Sequence, residues 1–177
     1  MNANNDLIDD LKKKIILNKE TISSVRNDIE FKNKQITNQK NENDLLPLDA
    51  SKLKSIAVIG PNANQVQFGD YTWSRNNNDG ITLLGGLKEI LPKNITLNYS
   101  KGCDLVSLNE DGIEDAVKAA QKSDIAIVAI GTASASLARD YSNSTSGEGF
   151  DLSSLDPTGA QQKLVEAIAA TGKPTIV

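Results

Sequence analysis

The sequence predicts an α/β protein: a mostly parallel sheet flanked by helices, of the α/β-sandwich type, preceded by an N-terminal helical segment. Three observations carry that expectation. Apolar runs bounded by Gly, Pro or Asp recur along residues 40–177, which is how strands buried on both faces read. Helical stretches stand between them, and strand–helix alternation is the pattern of an open parallel sheet. Before residue 40 the chain is rich in Asn and Lys, without glycine or proline, and a seven-residue apolar period replaces the alternation.

In the first segment, residues 1–39, Ile8, Ile15, Ile22, Ile29 and Ile36 are spaced by seven, with Leu11 and Val25 between them. That is the a/d pattern of a coiled-coil seam. Asn18 takes one d position, where a buried amide fixes register, while Lys32 and Gln39 spoil the last two. A self-associating helix, a helix packed on its own domain and a non-native leader all remain open.

In residues 40–177, "SIAVIG" (55–60) is a buried strand closed by Gly-Pro, and "LLGGLKEIL" (83–91) a helix closed by Pro92. "ITLNYS" (95–100) is a second strand. The helix over 109–123 turns Ile113, Val117 and Ala120 to one side. "DIAIVAIG" (124–131) is a third strand. The helix over 156–172 is expected to start at Asp156 as N-cap with Pro157 in its first turn, and Gly172 lies just past its end. "KPTIV" begins a fourth strand, where the domain looks incomplete.

Composition removes several classes of function. The net charge is −4, and the acid excess belongs to residues 44–177, with 16 acidic against 11 basic side chains. That is no footprint for nucleic acid. No apolar run approaches the roughly 20 residues of a membrane span. No signal-peptide core opens the chain, so a cytoplasmic placement is the default expectation. Histidine is absent, which removes Ser-His-Asp and Cys-His mechanisms within this chain and makes a zinc site a poor expectation. Cys103 stands alone, so no internal disulfide forms. Carboxylates, Tyr or Lys must carry any acid–base chemistry.

Ligands of open α/β sheets bind outside the carboxyl ends of the strands. Two long loops leave such ends. The first, 60–80, holds Asp70, Tyr71, Trp73 and Arg75 beside several Asn; the second, 131–155, holds Arg139, Asp140, Tyr141 and Glu148. Rings, amides and carboxylates in one cleft suit a sugar, which offers an apolar face and a rim of hydroxyls. Trp73 also reads as a loop anchor tucked onto the core, and Asn76–Asn78 as a solvated turn. Glu148 sits between Gly147 and Gly149, either as a solvated tip or as an acid that something bulky must approach. A dinucleotide site is excluded by spacing, since no G-x-G-x-x-G follows the first strand, and the phosphate loops of nucleotide-binding proteins lack their lysine here.

"KNENDLLPLD" (40–49), "SIAVIGPNA" (55–63), "FGDYTWS" (68–74), "KGCDL" (101–105), "SDIAIVAIG" (123–131), "SGEGFD" (146–151) and "GKPTIV" (172–177) occur in this order. Together they resemble the C-terminal α/β-sandwich domain of glycoside hydrolase family 3, the β-glucosidases and β-xylosidases. The resemblance implies a retaining, exo-acting glycosidase. Its aspartate nucleophile would lie on a preceding (β/α)8 barrel, and its acid/base, in members carrying this motif, would be the glutamate of "SGEG", here Glu148. It implies that the loop around Tyr71 and Trp73 lines the aglycone side. Asp70 and Arg139 join the candidate sugar-binding residues by proximity alone. Neither metal nor cofactor is expected. Residues 1–39 stand where the family has its barrel, so the isolated chain is expected to be poorly active. A barrel-bearing partner, or self-association through residues 8–36, is the partner expectation beside the β-linked glycoside itself. The alternative is a non-catalytic carbohydrate-binding or assembly module oligomerised by its N-terminal helix.

Overall fold

Two compact units divide the chain, Met1–Leu48 and Asp49–Val177. The computed structural model describes residues 11–27, 29, 41, 44–66, 68–69, 71–74, 79–134, 144–147, 149 and 151–177. The described part of the first unit is dominated by helix α1 over 11–27. It has no Gly or Pro to break it, and every residue of it is exposed. The seam therefore exists as helix, with Ile22 60% and Leu11 50% exposed, while Ile8, Lys32, Ile36 and Gln39 lie outside the described residues.

The second unit carries a four-stranded parallel sheet. In chain order its elements are β1 Ser55–Ile59, α2 Leu83–Ile90, β2 Thr96–Ser100, α3 Ile113–Gln121, β3 Ile125–Val128, α4 Gln161–Ala169 and β4 Thr175–Ile176. The sheet order is β2-β1-β3-β4. Ile56 stands level with Leu97 and Ile125, and Ile59 with Ser100 and Val128. Ala57, Ile59, Ala126 and Val128 pack with Ala116, Ala120, Leu164 and Ile168 of α3 and α4 into one buried cluster. Small alanines on α3 let the helix approach the sheet closely. Ile56 and Val58, on the alternate face, are buried as well, so β1, an interior strand like β3, is covered on both faces, which explains its unbroken apolar run.

Two helix starts differ from the sequence reading, and the first is α3, which begins at Ile113 and not at Asn109, whose Oδ1 accepts from the Asp111 N–H at 2.8 Å in a turn. Thr82 caps α2, its Oγ1 accepting from the Gly85 N–H at 2.9 Å. The last helix begins at Gln161, not at Asp156 as the sequence predicts. Asp156 Oδ2 instead accepts from Ser154 Oγ at 2.7 Å, and Thr158 Oγ1 donates to the Leu105 carbonyl at 2.6 Å. Gly159, at φ +62°, turns the backbone away from a helical path, and the Ala160 N–H binds the Ser107 carbonyl at 3.0 Å. Long-range partners hold 156–160 as a turn, overriding a good local start signal. Gly172 does lie just past α4, at φ +68°.

The entrance to β1 is held by a carboxylate. Asp124 Oδ2 accepts from the backbone N–H groups of Lys54 at 2.7 Å and Ser55 at 2.9 Å. Those backbone bonds hold its carboxyl below the ordinary value of 3.8. A depressed folded pKa gives stability that is present above the unfolded value and lost as pH falls through the folded one. We expect acidification from pH about 4.5 to about 2.5 to lower the urea midpoint, and Asp124→Asn to flatten that acid limb while lowering the neutral-pH midpoint.

At the other end of β1, Gly60 has φ +115°, and a Cβ there would stand 2.2 Å from the Ala129 carbonyl oxygen. The first strand must leave the sheet against the backbone of the third, which only glycine permits. Gly60→Ala should cost about 3 kcal/mol or more, read as a fall in denaturation midpoint.

Candidate functional site

The strand order sets the place for a ligand. From β1 the chain runs outward to β2 on one side and returns to β3 on the other, so the strand order reverses between β1 and β3 while the strands stay parallel. The crevice outside the carboxyl ends at such a reversal is where open α/β sheets bind ligands. The two long loops leave from those two ends. Their roots touch: the Asn62 N–H donates to the Ala129 carbonyl at 3.2 Å, and Gly131 lies against the Asn62 amide.

The first loop is braced from within. The Thr72 N–H reaches the Gly69 carbonyl at 3.3 Å, Thr72 Oγ1 donates to the Ser74 carbonyl at 2.6 Å, and buried Ser74 donates to Asp79 Oδ2. This turn displays two rings. Tyr71 is 85% and Trp73 84% exposed. Trp73 is therefore no anchor on the core; its faces are open to an incoming apolar surface. Asp70 and the stretch 75–78 lie outside the described residues.

The second loop is pinned at its neck. Thr145 and Ala133 exchange hydrogen bonds, Thr145 N–H to the Ala133 carbonyl at 2.9 Å and Ala133 N–H to Thr145 Oγ1 at 3.0 Å. Ser134 bridges to Ser146 beside them, and Ser144 and Thr145 are buried. Glu148 and Arg139 lie outside the described residues. What is described on either side of Glu148 is a half-buried Gly147 and an exposed Gly149 with nothing within 4 Å of a Cβ position. Of the five candidate residues, then, Tyr71 and Trp73 are brought together on one exposed turn.

Sequence reading missed the residue that ties this region to the sheet. Gln161, 0% exposed, accepts from the Gly131 N–H at 2.8 Å. Its Nε2 lies 3.0 Å from the carbonyls of Gly131 and Leu105 and from Thr158 Oγ1. A single side chain thus fixes the point where the second loop leaves β3. A Gln in the first turn of an amphipathic helix reads as solvent-facing, so no local signal marked it.

A cavity of about 170 Å³ opens elsewhere, at the end of β2, lined by Lys101, Gly102, Cys103, Asp104, Asn109 and Gly112. It holds none of the candidate residues. Burial raises the Cys103 thiol, with Asp104 adding to the effect, so the group stays protonated and unreactive at neutral pH.

The fold and these loops define an α/β domain with an exposed aromatic turn on one loop at the carboxyl edge of its sheet and a glycine-flanked glutamate in the sequence of the other. The chain belongs to glycosyl hydrolase family 3: residues 39–177 match the Glycosyl hydrolase family 3 C-terminal domain. A β-xylosidase of Formosa agariphila is 40% identical over 155 residues, which cover 84% of this chain and 20% of that protein. Among solved structures, a family 3 exo-β-xylosidase in complex with a xylobiose aziridine probe superposes with a TM-score of 0.62 at 28% identity, over 76% of this chain and 16% of that one. A β-glucosidase from Erythrobacter marinus gives 0.62 at 26% identity, over 77% and 20%. The chain spans about a fifth of the length of the curated relatives it matches.

Proposed function

We propose that these residues act as the C-terminal domain of a retaining, exo-acting β-glycosidase that hydrolyses β-xylosides or β-glucosides, with Glu148 as general acid/base. The observation that supports it most is the extent of the family match, which includes the whole glycine-flanked acidic loop and its root at β3. In this reading the Glu148 carboxylic acid protonates the glycosidic oxygen as the bond to the anomeric carbon breaks, and its carboxylate then deprotonates the attacking water. The nucleophilic carboxylate comes from outside these residues and stands about 5–5.5 Å from the acid, as retention requires. Tyr71 and Trp73 offer ring faces to the aglycone, while Asp70 and Arg139 bind hydroxyls at the crevice rim. Neither metal nor cofactor takes part.

A second reading, a carbohydrate-binding or assembly module without catalysis, is favoured by the exposure of the Trp73 ring. A chimaera separates the two. Residues 40–177 replace the matching segment of the Formosa agariphila β-xylosidase, and aryl β-xyloside and β-glucoside hydrolysis is measured beside the isolated chain. Turnover by the chimaera with negligible turnover by the chain alone supports the catalytic domain. Sugar binding by a folded chimaera without turnover supports the module.

A further inference from the structure

We propose that Thr72, Ser74 and Asp79 are positioning residues that hold the Trp73 ring outward as a platform for the aglycone, so that the domain favours leaving groups that carry a ring. The inference rests on the glycosidase reading and adds to it the device that sets the ring. Trp73 is the only tryptophan of the chain, and at 84% exposed it forgoes the burial that a side chain of its size normally gains. On a slack loop such a ring folds onto whatever apolar surface lies near. Here the backbone on either side of it keeps it out.

Both neighbours of Trp73 are tied. Before it, the Thr72 N–H donates to the Gly69 carbonyl at 3.3 Å, and Thr72 Oγ1 reaches past the tryptophan to the Ser74 carbonyl at 2.6 Å. After it, buried Ser74 donates its hydroxyl to Asp79 Oδ2. A carboxylate acceptor puts this bond among the stronger kinds. The two legs of the loop are joined nearer its root as well. The Leu84 N–H donates to the Ala63 carbonyl at 2.9 Å, Thr82 Oγ1 donates to Asn64 Oδ1 at 3.1 Å, and a Cβ on Gly80 would stand 2.6 Å from Val66 Cγ1. The loop is thus closed from the sheet edge to the turn, and Ser74–Asp79 is the tie beside the ring. A ring already held in one direction meets a flat aglycone with little ordering cost, whereas a methyl group offers it no face. Asp79 is itself exposed, so it can be changed without opening the core.

In the full chain, the fluorescence anisotropy decay of Trp73 reads the clamp without any turnover. Asp79→Ala and Ser74→Ala should raise the amplitude of the fast local decay roughly twofold, with the urea midpoint showing an intact fold. Asp79→Asn keeps an acceptor oxygen for Ser74 and should stay near the parent. In the chimaera, benzyl and methyl β-xyloside are compared, because their alcohols are similarly poor leaving groups and slow departure lets KM report binding. Trp73→Ala should raise KM for the benzyl glycoside on the order of tenfold, and Asp79→Ala about threefold. For both variants kcat, and KM for the methyl glycoside, should hold. Adding Asp79→Ala to Trp73→Ala should change nothing further, since the carboxylate acts through the ring. An unchanged local decay, additive effects of the two changes, or an equal loss on both glycosides overturns the positioning role. An unchanged KM for the benzyl glycoside in Trp73→Ala overturns the inference from the other side, by removing the aglycone contact on which it rests. A folded chimaera without turnover marks failure of the glycosidase reading itself, which the anisotropy decay does not share.

Discussion

In the active chimaera, Glu148→Gln is expected to lower kcat/KM by roughly 10²–10⁴-fold on a glycoside with a poor leaving group. The amide keeps the size of the side chain and its hydrogen-bonding reach but cannot transfer a proton, so the loss belongs to chemistry and not to packing. Its pattern across substrates is more telling than its size. An aryl glycoside whose phenol departs without protonation needs little acid for the first step, so that step should fall least. The glycosyl-enzyme should then persist, because no base activates water. Glu148→Ala leaves room for azide, which needs no deprotonation, and β-glycosyl azide should form with partial recovery of turnover. The limb of the pH–rate profile that reports the acid should vanish in both variants. A uniform fall across leaving groups, without azide product, would mean that Glu148 only shapes the loop.

Gln161→Leu is expected to be the most destabilising single change in this region, at about 3–5 kcal/mol. Leucine matches the volume and removes every polar atom. The Gly131 N–H then loses its 2.8 Å acceptor, and the Gly131 and Leu105 carbonyls lose a shared donor, at a fully buried site. Each orphaned group costs about 1–3 kcal/mol. Leu105 keeps the Thr158 hydroxyl, which bounds the total. The measurement is a urea midpoint for the full chain. A cost near 1 kcal/mol would mean that water replaces the amide. Because the Gly131 end of the second loop is the point released, chimaera turnover should fall further than stability alone accounts for under conditions where the fold is intact.

The strands were legible because each is a local run of strand-forming residues, and all four stand where those runs lie, β1 and β3 buried and β2 and β4 only in part. Helix existence was legible for the same reason, down to the heptad-bearing α1. What failed were two helix starts, those expected at Asn109 and at Asp156. Asp156-Pro157 is a sound start signal, yet partners some 50 residues away hold that stretch as a turn, and local reading cannot weigh them. The same blindness hid Gln161 and the Asp124 clamp, whose partners are distant in sequence. In the candidate site, a loop position such as Trp73 is compatible with burial or display until neighbours are placed. For Glu148 no local physics distinguishes an acid for catalysis from a solvated one. That assignment rests on resemblance over a long ordered series of motifs.

The interior position of β1 has a consequence in time. Its two neighbours are made much later: β2 begins at Thr96 and β3 at Ile125, so the first strand waits for both. At about 5–20 residues per second, roughly 5–20 s pass between synthesis of α1 and completion of β3. A lone helix relaxes in about a microsecond. During each round of translation, then, α1 can form long before the sheet closes, and β1 waits with its edges unpaired until the chain beyond Val128 has been made.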